Sequence, residues 1–237
     1  MGKKFLYRHR VALSAAAIVL AIAATVSICL YALVQTSASV RLVVVIDAGH
    51  GGIDGGVVGV TSGTKESDIN LAVARRLQAQ FEEAGFLVVQ TRPTEAGLYG
   101  AAVRGYKQRD MRRRAEIIRE SEPAAVISVH QNYFSDRTRR GAQVFFRPSD
   151  ARSRTLACAV QAALNAMPEC VRRSEPLAGD YYILNNSACP AVIVECGFLS
   201  NAADEALLLD AAYRERLAET VCAGTLSYLA ALSSGVP

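Results

Sequence analysis

No acidic residue precedes Asp47, and residues 11–34 carry no charge of either sign. An uncharged run of that length can cross a bilayer as a helix. Lys3, Lys4, Arg8 and Arg10 lie before it, and the next charge is Arg41. The positive-inside rule then keeps the N-terminus cytoplasmic and exports the remainder of the chain. A cleaved signal peptide, with the small residues 36–39 as its processing site, is the alternative. Its apolar region would usually span only about 7–15 residues, which favours a retained signal anchor. The expected organisation is a basic flank and transmembrane anchor over 1–34, a polar linker over 35–40 and one folded domain over 41–237.

Excess charge is missing from that domain. The chain has 26 basic and 22 acidic residues, and the four basic residues before the anchor account for the difference. A neutral domain gives no electrostatic reason to expect nucleic acid. Cysteine spacing excludes a second class. Cys29 falls in the anchor, and Cys158, Cys170, Cys189, Cys196 and Cys222 show neither CxxC nor zinc-finger spacing. A thiolate metal site is therefore not expected, and an odd number leaves at least one thiol unpaired within the chain. Internal repeats and low-complexity segments are also lacking. The glycines after the first apolar run (Gly49, Gly51, Gly52, Gly55, Gly56, Gly59) match neither GxGxxG nor GxxxxGK[ST]. This argues against a nucleotide-binding loop and for a backbone that turns tightly around a ligand or metal.

The elements that are present alternate. Strand-length apolar runs occur at 42–47, 86–91, 124–129, 141–146 and 191–196. Helical spacing is clearest in Ile69, Val73, Leu77, Phe81 and Ala84, ending at Gly85, with further helices expected at 107–121, 151–167 and 204–232. The segments 93–105 and 167–186 read as loops. This pattern predicts an α/β fold: a mostly parallel, mixed sheet of about six strands with helices on both faces.

Histidine is scarce, and its placement is informative. Outside the basic flank the chain has only His50 and His130, each where an apolar strand runs out into a loop. Open α/β sheets build their sites there. One such histidine is usually a satisfied structural residue, but two in matching positions, with Glu66 opening the helix after the first, suggest a divalent-metal site. His, Glu and His suit zinc and leave a coordination position open for water. Asp68 competes with Glu66 for the ligand role. Glu195 ends the apolar run 191–194, where a carboxylate is costly unless paired or functional; a buried ion pair is the alternative to a general base. Asp47 and Asn132 are either groups that orient ligands or turn residues. Arg112, Arg113, Arg114, Arg137, Arg139 and Arg140 flank the His130 strand as either substrate-carboxylate partners or a solvated face.

Four separated blocks carry a family resemblance. Val45-Ile46-Asp47-Ala48-Gly49-His50-Gly51-Gly52, Lys65-Glu66, Ile127-Ser128-Val129-His130-Gln131-Asn132 and Val194-Glu195-Cys196-Gly197-Phe198-Leu199-Ser200-Asn201 resemble the zinc-dependent N-acetylmuramoyl-L-alanine amidases of the third amidase class. The resemblance covers about 40–232. It implies that His50, Glu66 and His130 bind Zn2+ and that Glu195 is catalytic. The implied reaction is cleavage of peptidoglycan between the lactoyl group of N-acetylmuramic acid and the L-alanine of the stem peptide. Asp110-Met111-Arg112-Arg113-Arg114 and the lack of a wall-binding repeat are most similar to membrane-anchored, spore-cortex (germination-specific) amidases. On this reading the domain works outside the cytoplasm, in the wall or the forespore intermembrane space, with peptidoglycan as partner, the membrane as anchor and an accessory protein as an open question. Two other classes stay open: another zinc peptidase or carboxypeptidase of the wall, and an inactive, membrane-tethered peptidoglycan-binding module. Glu195 speaks against the inactive module.

Overall fold

The computed structural model describes residue 2, residues 18–28 and residues 41–233. The chain divides into two compact units, Met1–Val40 and Arg41–Pro237. In the first unit, residues 18–28 form an exposed helix; the rest of the expected 11–34 span lies outside the described residues. Among the described residues, no helix is long and apolar enough to cross a membrane.

The second unit is built on six strands: β1 (Val43–Ala48), β2 (Leu87–Gln90), β3 (Ala125–Asn132), β4 (Gln143–Phe146), β5 (Leu177–Ala178) and β6 (Ala191–Phe198). They lie in the order β2-β1-β3-β6-β4-β5. Every neighbouring pair is parallel except β4 with β6. The helices are α1 (Glu66–Glu83), α2 (Tyr106–Ser121), α3 (Ala151–Asn165), α4 (Tyr182–Asn185), α5 (Ala202–Leu209) and α6 (Ala211–Ser233).

The continuous apolar runs of β1, β3 and β6 follow from burial on both faces, which leaves no side of these strands for polar residues. Val44, Ile46, Ile127, Val129, Val192 and Val194 pack with α1, α3 and α6 on one face. Val45, Val126 and Ile193 point the other way, onto Ile118 of α2 and Ile183 and Leu184 of α4. The strand period of two carries His130 and Glu195 to this second face, continuing from Val126 and Ile193. The chain leaves β1 toward β2 on one side and β3 pairs on the other, so the sheet has a topological switch point between β1 and β3. Ligand crevices of open α/β sheets form at such points.

The end of α1 shows how local sequence sets an element. Gly85, at φ +89°, donates its N–H to Glu82 O, and Phe86 donates to Phe81 O. That double bond pattern is a Schellman stop, and the Phe81 and Phe86 rings close it at 5.9 Å between centroids.

Three sequence expectations need correction. His130 and Glu195 lie inside their strands, because β3 continues to Asn132 and β6 to Phe198. The segment 167–186, expected to be loop, contains β5 and α4. The helix expected over 204–232 is two helices. Asp210 takes an extended conformation (φ −73°, ψ 125°), and its carboxylate accepts the Ala212 and Tyr213 N–H groups that open α6.

Candidate metal centre and catalytic cleft

His50 stands in the turn after β1, Glu66 in the first turn of α1 and His130 near the end of β3. Their ligand atoms all come within 4.8 Å of one another. His50 Nε2 lies 3.2 Å from Glu66 Oε2 and His130 Nδ1 2.9 Å from Glu66 Oε1, so one carboxylate spans two imidazoles. The rings meet edge to face at 5.1 Å. Asp68 is exposed and is not part of the group. A helix's first turn favours a carboxylate, but which of the two acids turns inward is decided by the facing groups. Glu66 also accepts from the Val57 and Gln131 N–H groups and from Asn70 Nδ2.

Electrostatics keep this carboxylate charged. Burial alone would raise the Glu66 pKa, but hydrogen bonds and charge from His130 and His50 outweigh burial and hold it well below the usual carboxylate range. Burial likewise works against charge on His50. The carboxylates of Glu66 and Asp54 overcome it and raise the His50 pKa. Asp54 Oδ2 stands 3.1 Å from His50 Nδ1, on the side of the ring away from Glu66, and Lys107 Nζ is 3.3 Å from the other Asp54 oxygen. Two imidazole nitrogens and an ionised carboxylate oxygen form a donor set that fits a zinc ion. The residues therefore fit the metal the sequence suggests.

The turn holding His50 is strained and braced. His50 sits at φ +62°, a left-handed conformation that is uncommon for a residue with a side chain. Two buried arginines take up the carbonyls around it. Arg92 donates to Ala48 O, Gly49 O, Ser67 O and Thr94 O; Arg114 donates to Ala48 O and His50 O. Burial and the neighbouring Arg114 lower the Arg92 pKa to about 10. Gly49 is required because a Cβ there would lie 2.2 Å from the His130 ring.

Arg114 is thus a buried brace and not a solvated arginine, and it also lines the cavity that holds Glu195. Its guanidinium pairs with Asp47 at 2.6 Å and with Asp110 at 2.5 Å. Asp47 also accepts from Thr91 and Ser128 hydroxyls. Burial opposes its charge, but Arg114 and these hydroxyls bring its pKa down to about 2. Asp47 therefore orients Arg114 and, through it, the His50 carbonyl. Asn132 accepts the N–H of the next residue, Tyr133, as a turn residue does. Arg92, Asn70, Gln131 and Asp54 were not anticipated. Only Asp54, four residues after His50 in the glycine-rich turn, offered a signal.

Glu195 is paired in register with His130 across β3 and β6. With His50 and His130 it lines a cavity of about 270 Å³, walled by Tyr99, Tyr106, Met111 and Tyr181. Its Oε2 is buried and has no hydrogen-bond partner among the described residues. Burial raises its pKa to about 7, with the imidazole of His130 opposing and Glu66 adding to the rise. The buried ion pair considered for this glutamate is not found among the described residues.

Known proteins share this arrangement of sequence and fold. The family description of N-acetylmuramoyl-L-alanine amidases, Amidase_3, matches residues 44–227. A germination-specific N-acetylmuramoyl-L-alanine amidase of Bacillus subtilis (strain 168) is 33% identical over 189 residues, covering 78% of this chain and 79% of that protein. The CwlD amidase from Clostridioides difficile, solved in complex with the GerS lipoprotein, superposes with a TM-score of 0.76 at 34% identity, over 80% of this chain and 99% of that one. An N-acetylmuramoyl-L-alanine amidase from Clostridium difficile 630 gives a TM-score of 0.73 at 29% identity, over 81% and 98% of the two chains. With the match spanning most of its folded unit, the chain belongs to the N-acetylmuramoyl-L-alanine amidase family.

Proposed function

We propose that the domain is a zinc-dependent peptidoglycan amidase that cleaves between N-acetylmuramic acid and the L-alanine of the stem peptide, with His50, Glu66 and His130 as ligands. The observation that carries this reading is Glu195 Oε2, buried without a partner among the described residues, in the cavity that His50 and His130 also line. Zinc held by the three ligands supplies Lewis acidity to water and to the scissile carbonyl. Glu195, raised to about 7 by burial, takes a proton from the attacking water. It then returns that proton to the alanine nitrogen as the amide C–N bond breaks. Asp54, Arg92 and Arg114 hold His50 in place during both transfers.

The similarity to a germination-specific amidase supports spore cortex as the wall layer acted on. Four basic residues ahead of the uncharged stretch 11–34 support a membrane anchor with the domain outside the cytoplasm. The CwlD relative is seen with a lipoprotein partner, which supports an accessory protein for this chain as well. Incubating the full chain and zinc with muropeptides should release free stem peptide with an N-terminal alanine, detected by mass spectrometry. A chelator should stop the release and zinc restore it. Release of only a C-terminal amino acid would instead identify a carboxypeptidase, and intact muropeptide an inactive binding module.

A further inference from the structure

Beside the catalytic cavity lies a second, larger cleft of about 770 Å³, and its walls are rich in arginine. Arg139 and Arg140 come from the connection between β3 and β4, and Arg172 and Arg173 from the segment before β5. Asp136 and Glu175 are the acids among its lining residues, and Arg140 is paired with buried Asp204, so Arg139, Arg172 and Arg173 leave a small positive excess. Asp136 is already engaged by the N–H and hydroxyl of Thr138.

Both arginine-bearing segments are anchored at their bases. Buried Asp204 accepts from the Gly141 and Phe198 N–H groups and from Arg140 Nε, tying the first segment to the end of β6. Asn165 exchanges two hydrogen bonds with Ser174, and Gln143 Nε2 donates to Glu175 O, which fixes the second. Arg139 stacks over the Phe134 ring at 4.5 Å. Arg172 and Arg173 are exposed. Arginine clusters held on fixed backbone match carboxylates by paired N–H donors.

The cleft begins next to the chemistry. Gln143, on its floor, is the register partner of Glu195, and such antiparallel partners stand only about 4.5–5.5 Å apart at Cα. A peptide whose first amide sits at Glu195 reaches this cleft within its next few residues. We propose that the Arg139, Arg140, Arg172 and Arg173 cleft is the subsite for carboxylates of the peptide on the leaving side of the scissile bond. This rests on the amidase reading above. It assigns the peptide to the β4–β5 side of Glu195 and makes the domain selective for acidic over amidated stems.

The test compares two muropeptides, one with free stem carboxylates and one with those carboxylates converted to carboxamides. The zinc-loaded full chain should cleave the free acid with a kcat/KM about tenfold or more higher, mainly through KM. R172E/R173E, altered only at exposed positions outside the catalytic cavity, should erase most of that preference by raising KM for the acid, with kcat and zinc content unchanged. R172K/R173K should retain part of it. Equal kcat/KM for the two substrates in the wild type would overturn the proposal. So would an unchanged KM in R172E/R173E, which would leave the cleft to an acidic partner protein. Failure to cleave either substrate would instead overturn the amidase reading itself, so the two failures are distinguishable.

Discussion

At the scale of single residues, the candidate metal centre separates side chains that converge on one point from those that only look suited to do so. Replacing His50 or His130 by alanine removes one of three converging donors, and zinc content measured on the purified variants should fall well below one equivalent. Glu66→Ala should do the same, whereas Asp68→Ala, altered at an exposed side chain, should keep its metal. Glu195→Gln preserves shape and a hydrogen-bonding group but removes the basic oxygen. Turnover should drop by about 10²–10⁴ while zinc content stays at the wild-type level; loss of zinc would make Glu195 a fourth ligand. Asp47 tests the brace behind the site. Its folded pKa of about 2 lies below its ordinary 3.8, so its stabilisation is fully present above about pH 4 and is lost as pH falls toward 2. The matching variant, Arg114→Met, leaves that carboxylate buried and unpaired and should cost about 3–5 kcal/mol in a denaturant titration.

Elements were legible where a local rule acts alone. The stop at Gly85 is one such rule, and Gly85→Ala, forced to φ +89°, should lower stability by about 1–2 kcal/mol with cleavage rate unchanged. β1, β3 and β6 were readable because burial on both faces leaves apolar runs, β2 and β4 as shorter apolar runs of strand length, and α1 to α3 because one-sided burial leaves a 3.6-residue stripe. β5 was not, since two exposed residues are too few to show alternation. The break at Asp210 was hidden because apolar residues continue from Ala206 to Leu209, right up to the break; its one trace is an aspartate, a good cap, just ahead of the second helix. His50, His130 and Glu195 could be picked out because each departs from an apolar or glycine-rich context, and Glu66 because it opens the helix that follows the His50 turn. The bracing roles of Arg92 and Arg114 could not. Their partners are mostly carbonyls, which every residue carries, so no spacing in the sequence announces them.

For the whole molecule, the architecture followed from alternation of element types, while the choice of which strand stands beside which did not, because pairing between distant segments leaves no local pattern. The anchor is the other whole-chain question. If residues 11–34 are retained in the bilayer, the protein should sediment with membranes and resist extraction by high salt, and its N-terminus should be Met1 or Gly2; a soluble domain beginning near Ser39 would show cleavage. The order β2-β1-β3-β6-β4-β5 has a further effect on timing. The strand carrying Glu195 is the last to be made, yet it must slot between β3 and β4, which until then have no partner for their facing edges. His50, Glu66 and His130 all precede it, so a chain emerging from the ribosome or the export channel holds its three candidate metal donors before the proposed base is in place. If Glu195 is that base, the domain gains hydrolytic competence only once this last strand is inserted and α5 and α6 have closed over the sheet behind it.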